Sequence, residues 1–312
     1  MIKVNYDPFY NKTRKLACDE IKVLTWNFSY GYGIGSAGVN YYQKSKPHFD
    51  NAIIKAQKLL KDQGPDIVFL QELDFKCKKS HYIDQLHSIG HELDYNLAYS
   101  NSWKIPYVPF PLLQLKDHFG ATNAGAGILS KYPIISNKTI FLPKPKEVHR
   151  AVNYFYPFRY IQIVELEVGN DIITIGNVHL EAFKASARSL QSELIKELVV
   201  KYSIDFFAGD FNSPPYYSKT SSAIDDYHVD YNYRDDASKK LAQLKNYQDC
   251  IDKDDELKNE KKFFTFPTDK PDRRLDYIWF NNTKYKVIET QVLKNNVSDH
   301  FPLQSKLIKL NE

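Results

Sequence analysis

The sequence predicts an α+β protein in which two packed, mostly antiparallel sheets carry helices on their outer faces. Three observations predict it. Apolar runs of strand length recur along the chain, with few helical periods between them. Aromatic residues are abundant, 23 Tyr and 19 Phe, as a β-rich core requires. No composition break, linker or repeat divides the 312 residues, so a single domain spanning 1–312 is expected, with an N-terminal extension over about 1–19.

The first strand is Ile21–Asn27, IKVLTWN, rich in β-formers. It gives way to a loop spaced by Gly31, Gly33 and Gly35. That loop lacks the Lys-Ser/Thr of a P-loop and reads as a site-lining turn. Phe49, Ala52, Ile53, Ala56, Leu59 and Leu60 recur at helical spacing, and Gly64-Pro65 stops the helix. Asp66–Leu70 is a buried strand with Gln71-Glu72 at its end, and Ile83, Leu86 and His87 suggest a second, short helix. Residues 95–124 are expected to form a long irregular loop over one edge, because Trp103, Tyr107, Phe110 and Phe119 sit among prolines.

Ala126–Leu129 is a strand followed by a turn at Tyr132-Pro133. Over Tyr160–Val168 the pattern alternates, with Ile161 and Ile163 on one face and Tyr160, Gln162, Val164 and Leu166 on the other. Ile172–Val178 is a strand ending in His179-Leu180-Glu181, where Glu181 would either orient that histidine or cap the next helix, the cap being favoured. That helix carries Ala187, Leu190, Leu194 and Leu198. Phe206, Phe207 and Ala208 form a buried strand closed by Gly209-Asp210-Phe211-Asn212. Residues 216–262 are polar, with one helix suggested by Leu241, Leu244 and Tyr247 and a solvated loop over Lys253–Lys262. Leu275–Phe280 and Lys286–Leu293 are strands, and Phe301, Leu303 and Leu307 mark a last, half-buried one.

Composition bounds the chemistry. The net charge of +4 is weak support for an extended polyanionic partner. Cys18, Cys77 and Cys250 form no metal pattern and fit a reducing compartment. The opening residues Met1–Asp7 lack the apolar run of a signal peptide, and no stretch approaches the roughly 18 apolar residues of a membrane span. A cytoplasmic monomer without stable membrane insertion is the expectation.

Polar residues end one apolar strand after another: Asn27, Gln71-Glu72, His179, Asp210 with Asn212, Asp276, and Asp299-His300. Burying such groups is costly unless they are paired or hold a metal, so these ends are expected to converge on one edge. Glu72, Asp299 and Asn27 offer hard oxygen donors suited to Mg²⁺ or Mn²⁺. A cation beside His179, His300, Asn212 and an Arg would face a developing anion, which points to a phosphate ester as substrate.

At these residues the sequence resembles the endonuclease/exonuclease/phosphatase superfamily, whose members share the DNase I-like fold. The pieces are Thr25-Trp26-Asn27, Leu70-Gln71-Glu72, Arg159, Asn177-Val178-His179-Leu180, Gly209-Asp210-Phe211-Asn212, Leu275-Asp276-Tyr277-Ile278 and Ser298-Asp299-His300-Phe301-Pro302-Leu303. They stand in the family's order from Thr25 to Leu303. The resemblance implies a four-layer α/β/β/α sandwich and a Mg²⁺- or Mn²⁺-dependent phosphoesterase. It implies Glu72 as main metal ligand, with Asn27 and Asp299 in support. Asp210 would orient or deprotonate the attacking water. Asn212 and His179 would bind the scissile phosphate, and Arg159 would neutralise its charge. His300, held by Asp276, would hydrogen-bond the phosphoryl group or act as general acid or base.

The substrate is left open by these residues. A nuclease-like phosphodiesterase is favoured, with a phosphomonoesterase or a lipid phosphodiesterase as the alternative. Lys144, Lys146, His149 and Arg150 form a candidate basic rim, and the aromatic stretch from Trp103 to Phe119 could stack bases or equally meet a lipid or sugar headgroup. A non-catalytic binding module would be expected to lack part of this residue set, and the whole set is present.

Overall fold

The computed structural model describes residues 3–12, 19–34, 44–111, 115–220, 229 and 237–310, without the side chains of 150 and 151. In chain order the elements are β1 (Val4–Tyr6), β2 (Phe9–Tyr10), β3 (Glu20–Asn27), α1 (Lys46–Gln63), β4 (Ile67–Asp74), α2 (Gln85–His91), β5 (Asn96–Val108), β6 (Gly120–Ser130) and β7 (Ile134–Phe141). There follow α3 (Arg150–Phe155), β8 (Tyr160–Val168), β9 (Asp171–His179), α4 (Ala185–Lys201), β10 (Phe206–Asp210), α5 (Ala237–Leu241), β11 (Tyr247–Asp249), α6 (Lys253–Lys258), β12 (Asp276–Asn281), β13 (Tyr285–Val292) and β14 (Leu303–Lys309).

The strands make two seven-stranded sheets, in the orders β1-β7-β8-β9-β10-β12-β11 and β13-β14-β3-β4-β6-β5-β2. Pairing is antiparallel except for β3 with β4 and β9 with β10, so the fold is an α+β sandwich of two mixed sheets. Three apolar clusters define the layers. Between the sheets lie Val23, Phe69, Ile128, Val164, Phe206 and Ile278. The second sheet packs its other face, through Leu24, Trp26 and Leu70, on Ala52, Ile53 and Leu60 of α1 and Leu86 of α2. The first sheet packs Ile161, Val178 and Phe207 on Ile195, Leu198 and Val199 of α4 and Leu241 of α5. Helices thus cover both outer faces of the sandwich.

α1 forms where the apolar spacing predicts it. Phe49, Ala52, Ile53, Ala56 and Leu60 are its buried stripe, and Gly64 ends it in the left-handed conformation at φ 60°. α4 buries Ala187 and Leu198 as expected, but Leu190 is exposed.

Three expectations are corrected. Residues 95–124 are not a loop: β5 and β6 pair over most of that length, with register shifts at Asn101/Trp103 and Ile105/Val108. Those bulges accommodate the proline that argued against a strand. Lys253–Lys262 is not a solvated loop either, because α6 and a 3₁₀ turn at Glu260–Lys262 occupy it. Glu256 and Glu260 are buried there, Glu256 pairing with Arg274 and Glu260 accepting from Ser218 and Lys219. Tyr247, expected in a helix with Leu241 and Leu244, stands in β11, while the N-terminal stretch carries β1 beside β7 and β2 beside β5. Gly35 of the glycine-spaced loop, and Cys18, lie outside the described residues.

Register places the functional residues. Parallel β3 and β4 end together at Asn27 and Gln71, and parallel β9 and β10 end together at His179 and Asp210. Antiparallel β12 starts where β10 ends, with Asp276 opposite Asp210. β14 starts where β3 ends, Leu303 opposite Thr25, so the preceding Asp299-His300 lies beside Asn27. β8 starts opposite His179, at Tyr160, which puts Arg159 at the same end. Pairing alone therefore brings residues from 27 to 300 to one rim of the sandwich.

Candidate active site

Local backbone devices aim the side chains at this rim. β4 carries a bulge between Leu70 and Leu73, and Glu72 sits in it at φ 54°. A bulge re-aims a side chain that regular alternation would turn elsewhere. Gln71 points between the sheets instead, where its amide donates to Asn177 Oδ1 at 2.8 Å. Gly209 has φ 152°, and a Cβ there would stand 1.8 Å from the Val178 carbonyl oxygen. Only glycine lets β10 approach β9 so closely. Asn212 follows at φ 48°, its backbone N–H donating to Asp210 Oδ1 at 2.8 Å and its amide to the Leu180 carbonyl at 3.0 Å. The turn before β14 is pinned twice: Ser298 donates to the Asn27 carbonyl at 2.7 Å, and the Trp26 indole donates to the His300 carbonyl at 2.9 Å.

Asp210 is the hub. Asn27 donates to its Oδ2 at 3.0 Å. The same oxygen lies 3.5 Å from His179 Nε2 and 3.8 Å from His300 Nε2. His300 Nδ1 stands 2.8 Å from Asp276 Oδ2. Arg273 and Arg274 do not compete for Asp276, since Arg273 pairs with Asp272 and Arg274 with Asp249 and Glu256. Glu72 Oε1 is 3.8 Å from His179 Nε2. Arg159 is buried and donates from Nη1 to His179 Nε2 at 2.6 Å. The residues expected to hold metal, substrate and proton thus share one cluster.

Burial sets the charges. It raises the Glu72 carboxyl to about 7, with the negative charge of Asp299 adding to the effect. It raises Asp210 to about 6 against the opposing pull of His300. For His300, burial alone would favour the neutral ring, but the carboxylates of Asp276 and Asp210 outweigh it and push the pKa up to about 10. His179 goes the other way: burial, then the charges of Arg159 and His300, hold it well below the ordinary histidine value. A neutral His179 can accept from the Arg159 guanidinium, which is the geometry observed.

Two groupings could hold a cation. Asp210, Asp276 and His300 present ligand atoms within 4.8 Å of one another. Asp276 Oδ2 and His300 Nδ1 already bond each other, which suits a proton-holding pair better than a ligand set. Glu72 and Asp299 instead bring two carboxylates together with the Asn27 amide nearby, a concentration of negative charge and hard oxygen that fits Mg²⁺ or Mn²⁺. Neither described cysteine takes part, since Cys77 bonds Asn123 and Cys250 lies in the core between the sheets. A cavity of about 940 Å³ runs along β11 and β13, and none of the rim residues lines it.

Sequence reasoning misassigned Glu181 and missed two tyrosines. Glu181 is not the cap of α4, whose N-cap is Lys184. It is fully buried, 3.8 Å from Arg159 Nε, and accepts from the Tyr156 hydroxyl at 2.5 Å and the Phe183 N–H at 3.0 Å. Its place two residues beyond His179, just past the end of β9 where β8 begins after Arg159, was the available signal. Tyr160 stands edge-on to His179, ring centroids 6.0 Å apart, and its buried hydroxyl has no hydrogen-bond partner among the described residues. Of the expected basic rim, Lys144 is half-buried and Lys146 and His149 are exposed; the Arg150 side chain lies outside the described residues.

A two-sheet sandwich with its acids, imidazoles and amides gathered at the ends of two parallel strand pairs is a DNase I-like fold. Residues 24–300 match the sequence profile of the endonuclease/exonuclease/phosphatase family, and the chain belongs to that family. Its members are hydrolases acting on phosphate esters. Among solved structures, the endonuclease/exonuclease/phosphatase from Bacteroides vulgatus is similar at 15% identity and TM-score 0.62, covering 93% of this chain and 99% of that one. The human Nocturnin catalytic domain is similar at 17% identity and TM-score 0.60, covering 99% and 97%. TDP2 from Caenorhabditis elegans is similar at 17% identity and TM-score 0.56, covering 95% of this chain and 77% of that one. No curated protein matches the chain by sequence. No helix among the described residues is long and apolar enough to cross a membrane.

Proposed function

We propose that this rim hydrolyses phosphodiesters, in the manner of a nuclease, with Mg²⁺ or Mn²⁺ held by Glu72, Asn27 and Asp299. One observation carries the reading: Asp210 reaches Asn27, His179 and His300 through a single carboxylate oxygen. A group in that position can hold a water between the metal-binding loop and the phosphate-binding imidazoles. A bound divalent cation supplies polarisation of a phosphoryl oxygen and charge stabilisation in the transition state.

The chain's own residues do the rest. Asp210 orients the attacking water and takes up or directs its proton. Asn212 and His179 contact the scissile phosphate from the side of β9 and β10. Arg159 keeps its positive charge, because Glu181, Tyr156 and Glu72 outweigh the burial that opposes it. It therefore stands as a fixed cation behind the phosphate site. His300, charged and held through Nδ1, presents Nε2 to the same space and can donate to the phosphoryl or leaving oxygen.

A substrate panel tests the reading. Plasmid DNA, abasic-site duplex, RNA, sphingomyelin, inositol phosphates and mononucleotides are each offered with Mg²⁺, with Mn²⁺ and with EDTA. Metal-dependent cleavage of internal phosphodiesters is expected. Release of inorganic phosphate alone, from monoesters alone, would reassign the rim to phosphomonoesterase chemistry.

A further inference from the structure

A smaller recess opens beside the rim, with a volume of about 240 Å³. That is below the ~300–1,000 Å³ of pockets that enclose a whole drug-sized ligand. It suits one portion of a substrate whose reacting bond lies elsewhere. Its walls include Trp103 and Lys104 of β5, Lys144, and Tyr154, Tyr156 and Phe158 before β8.

The recess is joined to the catalytic residues. Tyr156 of its wall donates to Glu181, Glu181 faces Arg159, and Arg159 donates to His179. On the other side Trp103 lies 6.5 Å from Tyr30, three residues beyond Asn27. Trp103 is fixed in place, its indole N–H donating to the Phe155 carbonyl at 2.9 Å. Lys144 is fixed as well, donating to the Asn153 carbonyl at 2.7 Å with its ammonium 4.1 Å from the centre of the Phe158 ring. Tyr154 and Lys104 are exposed at the mouth. Among the described residues no carboxylate lines it.

Aromatic faces alternating with ammonium groups, and no acid, match a ligand that is planar at one end and anionic at the other. Bases stack on aromatic side chains whatever their sequence, while lysines follow the phosphates. An inositol polyphosphate would leave the aromatic walls unused, and a lipid chain would leave the lysines unused.

We infer that this recess is a nucleotide subsite, taking the base and phosphate next to the scissile phosphodiester, so that the substrate is a nucleic acid strand. The inference rests on the phosphodiesterase reading of the adjoining rim and adds the substrate class to it.

The test uses the full chain, a double variant at the exposed mouth (Lys104→Ala with Tyr154→Ala) and a wall variant, Trp103→Leu. Two substrates are compared with Mn²⁺: a single-stranded octanucleotide and methyl p-nitrophenyl phosphate, which is too small to bridge rim and recess. The double variant should lose about tenfold or more in kcat/KM on the octanucleotide, mainly through KM. On the small ester it should stay within about twofold of wild type. Equal losses on both substrates, no loss on either, or a loss confined to the small ester would overturn the inference. Octanucleotide binding is also measured by fluorescence anisotropy in EDTA, where no chemistry is needed, and the double variant should bind about tenfold more weakly. Failure of wild type to bind would overturn the subsite. Tight wild-type binding without hydrolysis of any ester would overturn the phosphodiesterase reading alone.

Discussion

The fully buried carboxylate of Asp276 holds the His300 ring by its Nδ1 atom, Oδ2 to Nδ1 2.8 Å. That contact fixes the ring, leaves Nε2 facing the rim and favours the imidazolium. Asp276→Asn keeps the shape and removes the charge. His300 should then titrate well below about 10, because the anion that stabilises its charged form is gone. Turnover should fall by about 10²–10⁴-fold, the range for a mispositioned proton donor or acceptor. NMR titration of the ring and steady-state rates check both; an unchanged pKa with unchanged turnover would separate this pair from the chemistry.

On the proposed reading Glu72 couples metal binding to stability. In the metal-free fold its carboxyl is raised from 4.5 to about 7 by burial and by Asp299. The folded chain therefore holds this proton more tightly than the unfolded chain. The associated stability is fully present below about pH 4.5 and is lost as pH rises through about 7. Glu72→Gln cannot ionise, so metal-free variant should be more stable than metal-free wild type at pH 8. The side chain is 21% exposed, which places the gain at about 1–3 kcal/mol. Mg²⁺ should stabilise wild type and leave the variant unmoved. Urea unfolding at pH 5 and pH 8, with Mg²⁺ or EDTA, reads each of these outcomes.

Gly209 sets the spacing between β9 and β10, hence between His179 and Asp210. Gly209→Ala would force a Cβ to within 1.8 Å of the Val178 oxygen. The neighbour is backbone and cannot step aside, so a loss of about 2–4 kcal/mol is expected from overpacking and backbone strain. Denaturant unfolding measures it, and a variant as stable as wild type would mean that the strands tolerate separation.

Two roles for Glu181 differ in size. A helix cap lost to alanine costs about 1 kcal/mol. A counter-ion lost from beside a buried arginine costs about 3–5 kcal/mol. Glu181 faces Arg159 at 3.8 Å, so Glu181→Ala should show the larger loss, and Arg159→Met combined with it should recover part of the stability. A small loss with no rescue would return Glu181 to a capping role.

Much of this site was legible because its residues end apolar strands. A run such as IKVLTWN or FFAGD predicts a buried strand, and a polar residue at its end needs a partner. What composition could not supply was the register that brings Asp276 opposite Asp210 and Tyr160 opposite His179. β5 was hidden because Pro106, Lys104 and Trp103 break the alternation, and the chain absorbs that break in bulges. α6 was hidden because its charges read as solvated, although Glu256 turns inward to Arg274. A buried ion pair across 18 residues leaves no periodic trace in the sequence. Glu181 was misread because a carboxylate before a helix is ordinarily a cap, and its partner Arg159 lies 22 positions back, just before β8.

On the reading proposed above, residues from Asn27 to His300 meet to hold one divalent cation beside a phosphodiester. The most direct measurement is hydrolysis of bis-p-nitrophenyl phosphate by the full chain as Mn²⁺ and then Mg²⁺ are titrated, with Glu72→Gln in parallel. Saturable metal activation, abolished by EDTA and lost in the variant without loss of fold, is the predicted result. Well-folded wild-type protein that is inactive with both metals, or equally active in EDTA, would contradict it.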